Sequence, residues 1–246
     1  MRNLELEAAI AEAPESVERY RAYATWLENN GDPWGQLIAA QIAAHEEPPR
    51  KRKQKAAARK ALARYMEECH PGVAFHLPES PYPEENIERV TWRLGFVEAM
   101  ELRGLNQPLL DQGLAFARSR EAALIRRLNV SFTPLAELPD LSQLTYLEQL
   151  DLGATGIRDI GPVGGLQRLR FLSIAFTKVS DLAPLARLEA LESLSLMETD
   201  VTDLTPLHGL QRLRDLILLK TAVGDEQVDA LKAAVPTLRR RGRIDR

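Results

Sequence analysis

One cysteine, Cys69, stands in a chain of 246 residues, which excludes an internal disulfide framework and fits a reducing compartment. No apolar run is long enough to span a bilayer. The N-terminus, MRNLELEAAIAEAPES, alternates acids with small apolar residues where a signal peptide needs a hydrophobic centre. Neither sign of charge dominates: the net charge of −3 falls within the first ninety residues and the remainder balances, so neither part is a trap for polyanions. Catalytic signatures are missing too, with no P-loop, no G-x-G-x-x-G, no G-x-S-x-G and no H-E-x-x-H. These absences point to a cytoplasmic, non-enzymatic chain with no cofactor and no inserted membrane segment. Its 45% hydrophobic residues supply an ordinary core.

What the sequence does contain is repetition. LTYLEQLDLGATGIRDIGPVGGL is followed by FLSIAFTKVSDLAPLARL and then by ALESLSLMETDVTDLTPLHGL. Leu147, Leu169, Leu191 and Leu213 lie 22 residues apart, and Ile125 extends the series backwards. Each opens an L-x-x-L-x-L core, completed by Leu128 and Val130, Leu150 and Leu152, Leu172 and Ile174, Leu194 and Leu196, and Leu216 and Leu218. A threonine follows each core (Thr133, Thr155, Thr177, Thr199, Thr221), then an apolar residue (Leu135, Ile157, Val179, Val201, Val223). An acid closes the motif at Glu137, Asp159, Asp181, Asp203 and Asp225. The L-x-L alternation predicts short strands whose leucines share one face. One repeat cannot bury that face alone, so successive coils must stack. The acids are read as turn formers that accept a backbone N–H two residues on, with Pro162, Pro184 and Pro206 fixing φ where no ladder donor is needed.

Over roughly residues 120 to 235 this pattern resembles the short leucine-rich repeats of bacteria. The resemblance implies an α/β solenoid of short parallel strands on a 22-residue period, preceded here by a small all-α domain. The family usually carries asparagine in the column held here by threonine, where a polar side chain meets backbone groups at the bend of the coil. A hydroxyl offers fewer bonds, so a slightly weaker ladder is expected. An earlier coil is read in WRLGFVEAMELRGL, where Val97, Met100 and Leu102 fit the core 28 residues before the next copy. The extra length, QPLLDQGLAFARSREAAL, reads as a helix. At the far end a longer helix is expected over Val228, Leu231 and Val235, followed by a basic edge segment. Arginines there discourage further pairing, and a nucleic-acid contact is the alternative reading of that run.

The domains are placed at 1–91 and 92–246, joined through the proline-rich PGVAFHLPESPYPEEN. Four helices are expected in the first: NLELEAAIAEA, ESVERYRAYATWLENN, WGQLIAAQIAA and RKRKQKAAARKALARYMEECH. Gly31 gives a left-handed stop, and Asp32-Pro33 restarts the chain as cap and first turn. Ala9-Ile10 with Pro14, Tyr23-Ala24-Thr25-Trp26-Leu27 with Gly31-Asp32, and Gln36-Leu37-Ile38 with Gln41 resemble the repeat-companion domain of myxobacteria and planctomycetes. Thr25 and Gln36 replace carboxylates usual in that family. The resemblance implies architecture and no catalytic role, with Trp26 and Trp34 packing the unit.

Three groups of residues are candidates for function. The basic helix 50–64 (Arg50, Lys51, Arg52, Lys53, Lys55, Arg59, Lys60, Arg64) could neutralise phosphates on nucleic acid or an anionic surface. It lacks interleaved aromatics, and Ala56, Ala57, Ala61, Leu62 and Tyr65 leave a packing face, so a solvated helix is preferred. EECHPGVAFH gathers Glu67, Glu68, Cys69, His70 and His76 without paired ligand motifs, and is read as no metal site. An unrecognised enzyme in the helical domain is the third possibility. The expected concave face, between the core leucines, is the stronger candidate. Its early coils are polar, with Arg127, Gln149 and Asp151, while its later ones collect Phe171, Phe176, Met197, Ile217 and Leu219. The expectation is a protein-binding module, monomeric, with a protein partner and no nucleic acid.

Overall fold

The helices form where the caps predict them. Asn3 accepts the Leu6 amide hydrogen and opens α1 (Leu4–Glu12). After α2 (Val17–Asn29), Gly31 turns the chain at φ +69°. Asp32 Oδ1 then accepts the Trp34 amide at 3.0 Å and starts α3 (Pro33–Glu46), with Pro33 in the first turn. The fourth helix, α4, runs over Lys53–Cys69. The computed structural model describes residues 2–48, 53–71, 90–241 and 243–245. Arg50, Lys51, Arg52, His76 and most of the proline-rich connection therefore lie outside the described residues. Tyr20, Tyr23, Ala24 and Leu27 are buried as their spacing predicts. The buried face of α4 differs from expectation: Ala58, Tyr65 and Met66 are covered, while Ala56 and Ala57 are exposed. Ala58, Leu62, Tyr65 and Met66 form the better helical stripe.

The chain divides into two units, Met1–Ala99 with Ala115–Leu124, and Met100–Leu114 with Ile125–Arg246. Residues 92–99 and 115–124, which the sequence groups with the repeats, thus cluster with the helices. The first unit also holds a hairpin that the sequence does not announce. β1 (Val90–Arg93) meets β2 (Phe96–Glu101) through Leu94 and Gly95, both at positive φ, the signature of a tight two-residue turn. A Cβ on Gly95 would lie 2.3 Å from Ile38 Cγ1, so the backbone there is pressed onto α3. Trp34 Nε1 donates to the Gly95 carbonyl at 2.9 Å, and the Gly95 amide donates to Gln41 Oε1 at 3.0 Å.

In the second unit β3 (Arg127–Asn129), β4 (Gln149–Asp151), β5 (Phe171–Ser173), β6 (Ser193–Ser195), β7 (Asp215–Ile217) and β8 (Arg243–Asp245) join in parallel, in chain order. Register advances by one 22-residue period from β3 to β7, Leu128 facing Leu150 and so on. The earlier coil exists: the Leu102 amide donates to Asn129 O at 2.7 Å and Gly104 to Ser131 O at 3.1 Å. Its extra length carries α5 (Gln107–Ala117). The core leucines are buried throughout, joined by further columns such as Ile160, Leu182 and Leu204 on the return segments. Every repeat threonine donates its hydroxyl to a backbone carbonyl three residues earlier, at 2.6 to 2.8 Å. Asp159, Asp181 and Asp203 each accept the amide two residues on, at 2.7 to 2.8 Å, ahead of short 3₁₀ turns holding Pro162, Pro184 and Pro206. In the first coil Asp140 does this, accepting the Ser142 amide at 2.9 Å, instead of Glu137. The expected longer C-terminal helix is two, α6 (Asp225–Ala234) and α7 (Pro236–Arg241), because Pro236 has no amide hydrogen to continue α6. The basic edge segment becomes β8, paired to β7.

Candidate functional site

Strand alternation sets the open face of the sheet. Leu150, Leu172, Leu194 and Leu216 point inward, so the residues on either side of each point outward. Seven of the eight residues singled out from the sequence lie on this side, and the eighth, Phe176, lies at the bend beyond it. Arg127, Gln149, Phe171 and Phe176 are exposed, and Asp151, Met197, Ile217 and Leu219 are half-buried. Register places Arg127, Gln149 and Phe171 in one column. Asp151, Ser173, Ser195 and Ile217 follow one another in the next. The structure therefore separates the phenylalanines: Phe171 begins its strand, and Phe176 sits at the bend beyond its end.

That bend has a conformation that glycine marks only in the earlier coil, at Gly104 with φ 71°. Phe132, Ala154, Phe176, Glu198 and Lys220, one per coil, all have φ between 51° and 58°. The left-handed region costs an L-residue roughly 1–2 kcal/mol. In the first four coils the amide at this position is held by the next coil, as in Phe176 N to Met197 O at 2.7 Å. The side chains are thrown outward, leaving Phe176 48% and Phe132 59% exposed. Phe132 is a surface aromatic that the sequence reading left out of the site. The Arg103 guanidinium lies 4.7 Å from its ring centre. Glu198 pairs with Lys220 farther along the same column.

Another column was legible but unread. Arg126, Glu148, Arg170, Glu192 and Arg214 alternate in sign at one repeat position. Arg126 pairs with Glu148, and Arg170 with Glu192 at 2.8 Å. These ion pairs flank the strand starts and satisfy one another across neighbouring coils.

The first unit holds a buried ionic cluster. Glu121 is 1% exposed and accepts hydrogen bonds from the Tyr65 hydroxyl and from Arg120 Nε at 3.0 Å. Arg120 also pairs with Asp32, and His70 Nε2 lies 3.3 Å from Glu121 Oε2. Burial pushes the Glu121 carboxyl up, but the Tyr65 hydroxyl and the other donors outweigh it and hold the group below the usual range. Partial desolvation pushes the neighbouring Cys69 thiol up, which disfavours the thiolate that a nucleophile needs. Glu67, Glu68 and Cys69 are exposed. Among the described residues no three His, Cys, Asp or Glu side chains converge as metal ligands would, and no helix is long and apolar enough to cross a membrane. On α4, Lys53, Lys55, Arg59 and Lys60 are exposed, and Arg64 pairs with Glu68 at 2.8 Å.

Among solved structures the chain is similar to an internalin of Listeria monocytogenes, at 26% identity over 49% of this chain and 33% of that one, with a TM-score of 0.44. A leucine-rich-repeat protein of Leptospira interrogans is similar at 22% identity over 51% of this chain and 32% of that one, with a TM-score of 0.46. Internalin C2 of L. monocytogenes matches at 27% identity over 41% of this chain and 54% of that one, with a TM-score of 0.33. The matched part spans about a third of the length of the first two. No protein-family profile and no curated protein sequence matches this chain.

Proposed function

We propose that this chain is a non-enzymatic protein-interaction module that binds a protein partner on the open face of its repeat sheet. The observation that carries the reading is the exposure of Phe171, at 37%, on the side opposite the leucine core, with Phe176 exposed at the bend beyond the same strand. Apolar rings exposed in such places contribute little to folding, and a concentration of apolar groups around them marks a binding surface. Met197, Ile217 and Leu219 extend the apolar area, and Arg127, Gln149 and Asp151 give it a polar end. Recognition is by a preformed surface, with aromatic and methionine anchors supplying most of the affinity. The helical unit is proposed to be of the repeat-companion type. In support, Gly31, Asp32 and Gln41 of that motif have backbone roles: a left-handed turn, the α3 cap and the hold on the Gly95 amide.

The test uses the partner recovered from the native host's lysate, titrated calorimetrically. Replacing Phe171 and Met197 together by Ser is expected to weaken binding by at least about 2 kcal/mol. Replacing Lys53, Lys55 and Arg59 by Gln is expected to leave it unchanged at physiological salt. The reverse pattern would move the site to α4 and favour a phosphate-bearing ligand, whose binding falls steeply with salt.

A further inference from the structure

One column of the open face has a chemistry that describes its occupant. Ser173 and Ser195 are only 8% and 9% exposed and lie between the inward pairs Leu172/Ile174 and Leu194/Leu196, so alternation aims both hydroxyls at the open side. Neither hydroxyl has a hydrogen-bond partner among the described residues, and neither is sealed from solvent, so both are open to an incoming group. The carbonyls beside them are taken by the coil ladder, Ser173 O accepting Leu152 N at 2.8 Å and Ser195 O accepting Ile174 N at 3.1 Å. Gly153 leaves room beside them: a Cβ there would lie 3.1 Å from Asp151 Oδ1 and 3.4 Å from Ser173 Oγ.

The two ends of the column differ. At one end Asp151 Oδ1 accepts the Gly153 amide at 2.9 Å, while its second oxygen has no partner among the described residues. Its register neighbours, Asn129 and Ser173, are neutral, so no adjacent cation in the column offsets its charge. At the other end stands Ile217, half-buried, with Leu219 on the same strand exit. Three strand steps separate Asp151 from Ile217. At about 4.8 Å per step the span is about 14 Å, which an extended chain covers in about four residues. In an extended chain, side chains four positions apart project from the same side.

Resting on the open-face reading, we infer that the occupant is an extended segment of the protein partner, lying across the strands. It sets a Lys or Arg against Asp151 and, four positions away, a large apolar side chain against Ile217 and Leu219. Between them its backbone groups bond to the Ser173 and Ser195 hydroxyls, displacing the water those groups otherwise meet. A helical segment rises only about 6 Å in four residues and would need a wider spacing. A nucleic acid would set phosphates against Asp151.

The probe is a positional-scanning library of immobilised ten-residue peptides, read with the purified full chain. The expected selection is Lys or Arg with Leu, Ile, Met or Phe four positions away. Asp151→Asn keeps an acceptor for the Gly153 amide and so keeps the coil, which circular dichroism checks. It is expected to reduce the preference for the cation by about tenfold while leaving the apolar preference. Ser173→Ala with Ser195→Ala is expected to weaken the best peptide roughly three- to tenfold without altering which residues are selected. Selection without a cation, a different spacing, or a cation preference that survives Asp151→Asn overturns the inference. If the library selects nothing while the Phe171/Met197 variant still loses the native partner, this inference fails and the open-face reading stands. If that variant also binds normally, both fail.

Discussion

Phe171 and Leu172 are neighbours in the chain and opposite in environment, the first 37% exposed and the second fully buried. The difference fixes what each contributes. Leu172→Ala leaves a cavity between coils and is expected to cost about 2–5 kcal/mol. Phe171→Ala removes a ring that water already reaches, and is expected to cost well under half as much. Urea denaturation of the two variants checks this, and equal losses would mean that the strand faces are assigned the wrong way round. The threonine column follows the same logic of position. Each hydroxyl satisfies one carbonyl, such as Leu152 O from Thr155 at 2.7 Å. An asparagine amide would offer two donors as well as an acceptor. Residue-level chemistry was therefore legible wherever a column repeats, because five copies make each role visible. The left-handed bend was not, since Phe132, Ala154, Phe176, Glu198 and Lys220 share a backbone conformation and no side-chain type.

The β1–β2 hairpin was the element hardest to read from sequence, for a physical reason. All four residues of β1 are half-buried, so it has no alternation to mark it, and its turn is a leucine followed by one glycine. The helices were plain by comparison because their signals are local: Asn3, Gly31 and Asp32-Pro33 act within a few residues of themselves. The hairpin depends instead on contacts distant in sequence, Trp34 and Gln41 reaching Gly95. A comparison of two glycines tests that dependence. Gly95 and Gly104 both have positive φ, 90° and 71°, but only at Gly95 would a Cβ collide, 2.3 Å from Ile38 Cγ1. Gly104→Ala is expected to cost only the left-handed strain, about 1 kcal/mol. Gly95→Ala adds overpacking against α3 and is expected to cost about 2–4 kcal/mol, measured as a fall in thermal stability. Similar losses at both positions would remove the packing argument and leave backbone strain as the sole cause.

At the scale of the whole molecule, the repeats behave as a stack in which each coil answers only to its neighbours. β4 faces β5 and β5 faces β6 with the same register, Leu150 to Leu172 to Leu194, so one period is interchangeable with the next. This regularity made the sheet legible in the sequence while hiding its occupant, since the core columns recur and the open-face residues change from coil to coil. The unpartnered hydroxyls of Ser173 and Ser195 emerge only when burial and bonding are both known. The stack can be tested by removing residues 169–190, one full period. Arg168 then runs into Leu191, Gln149 comes to face Ser193, and Leu150 comes to face Leu194. The shortened chain is expected to unfold cooperatively with a smaller urea m-value, because less surface is buried per molecule. Removing residues 169–179 instead leaves half a coil whose return segment has no strand, and is expected to abolish the cooperative transition of the repeats. If both deletions behave alike, the coils are not independent units. The full-period deletion also takes away Phe171, Phe176 and Ser173 while leaving the basic residues of α4 in place. A chain that folds after this deletion yet no longer binds its partner would separate recognition from stability. Binding that survives it would place the partner elsewhere than on the open face.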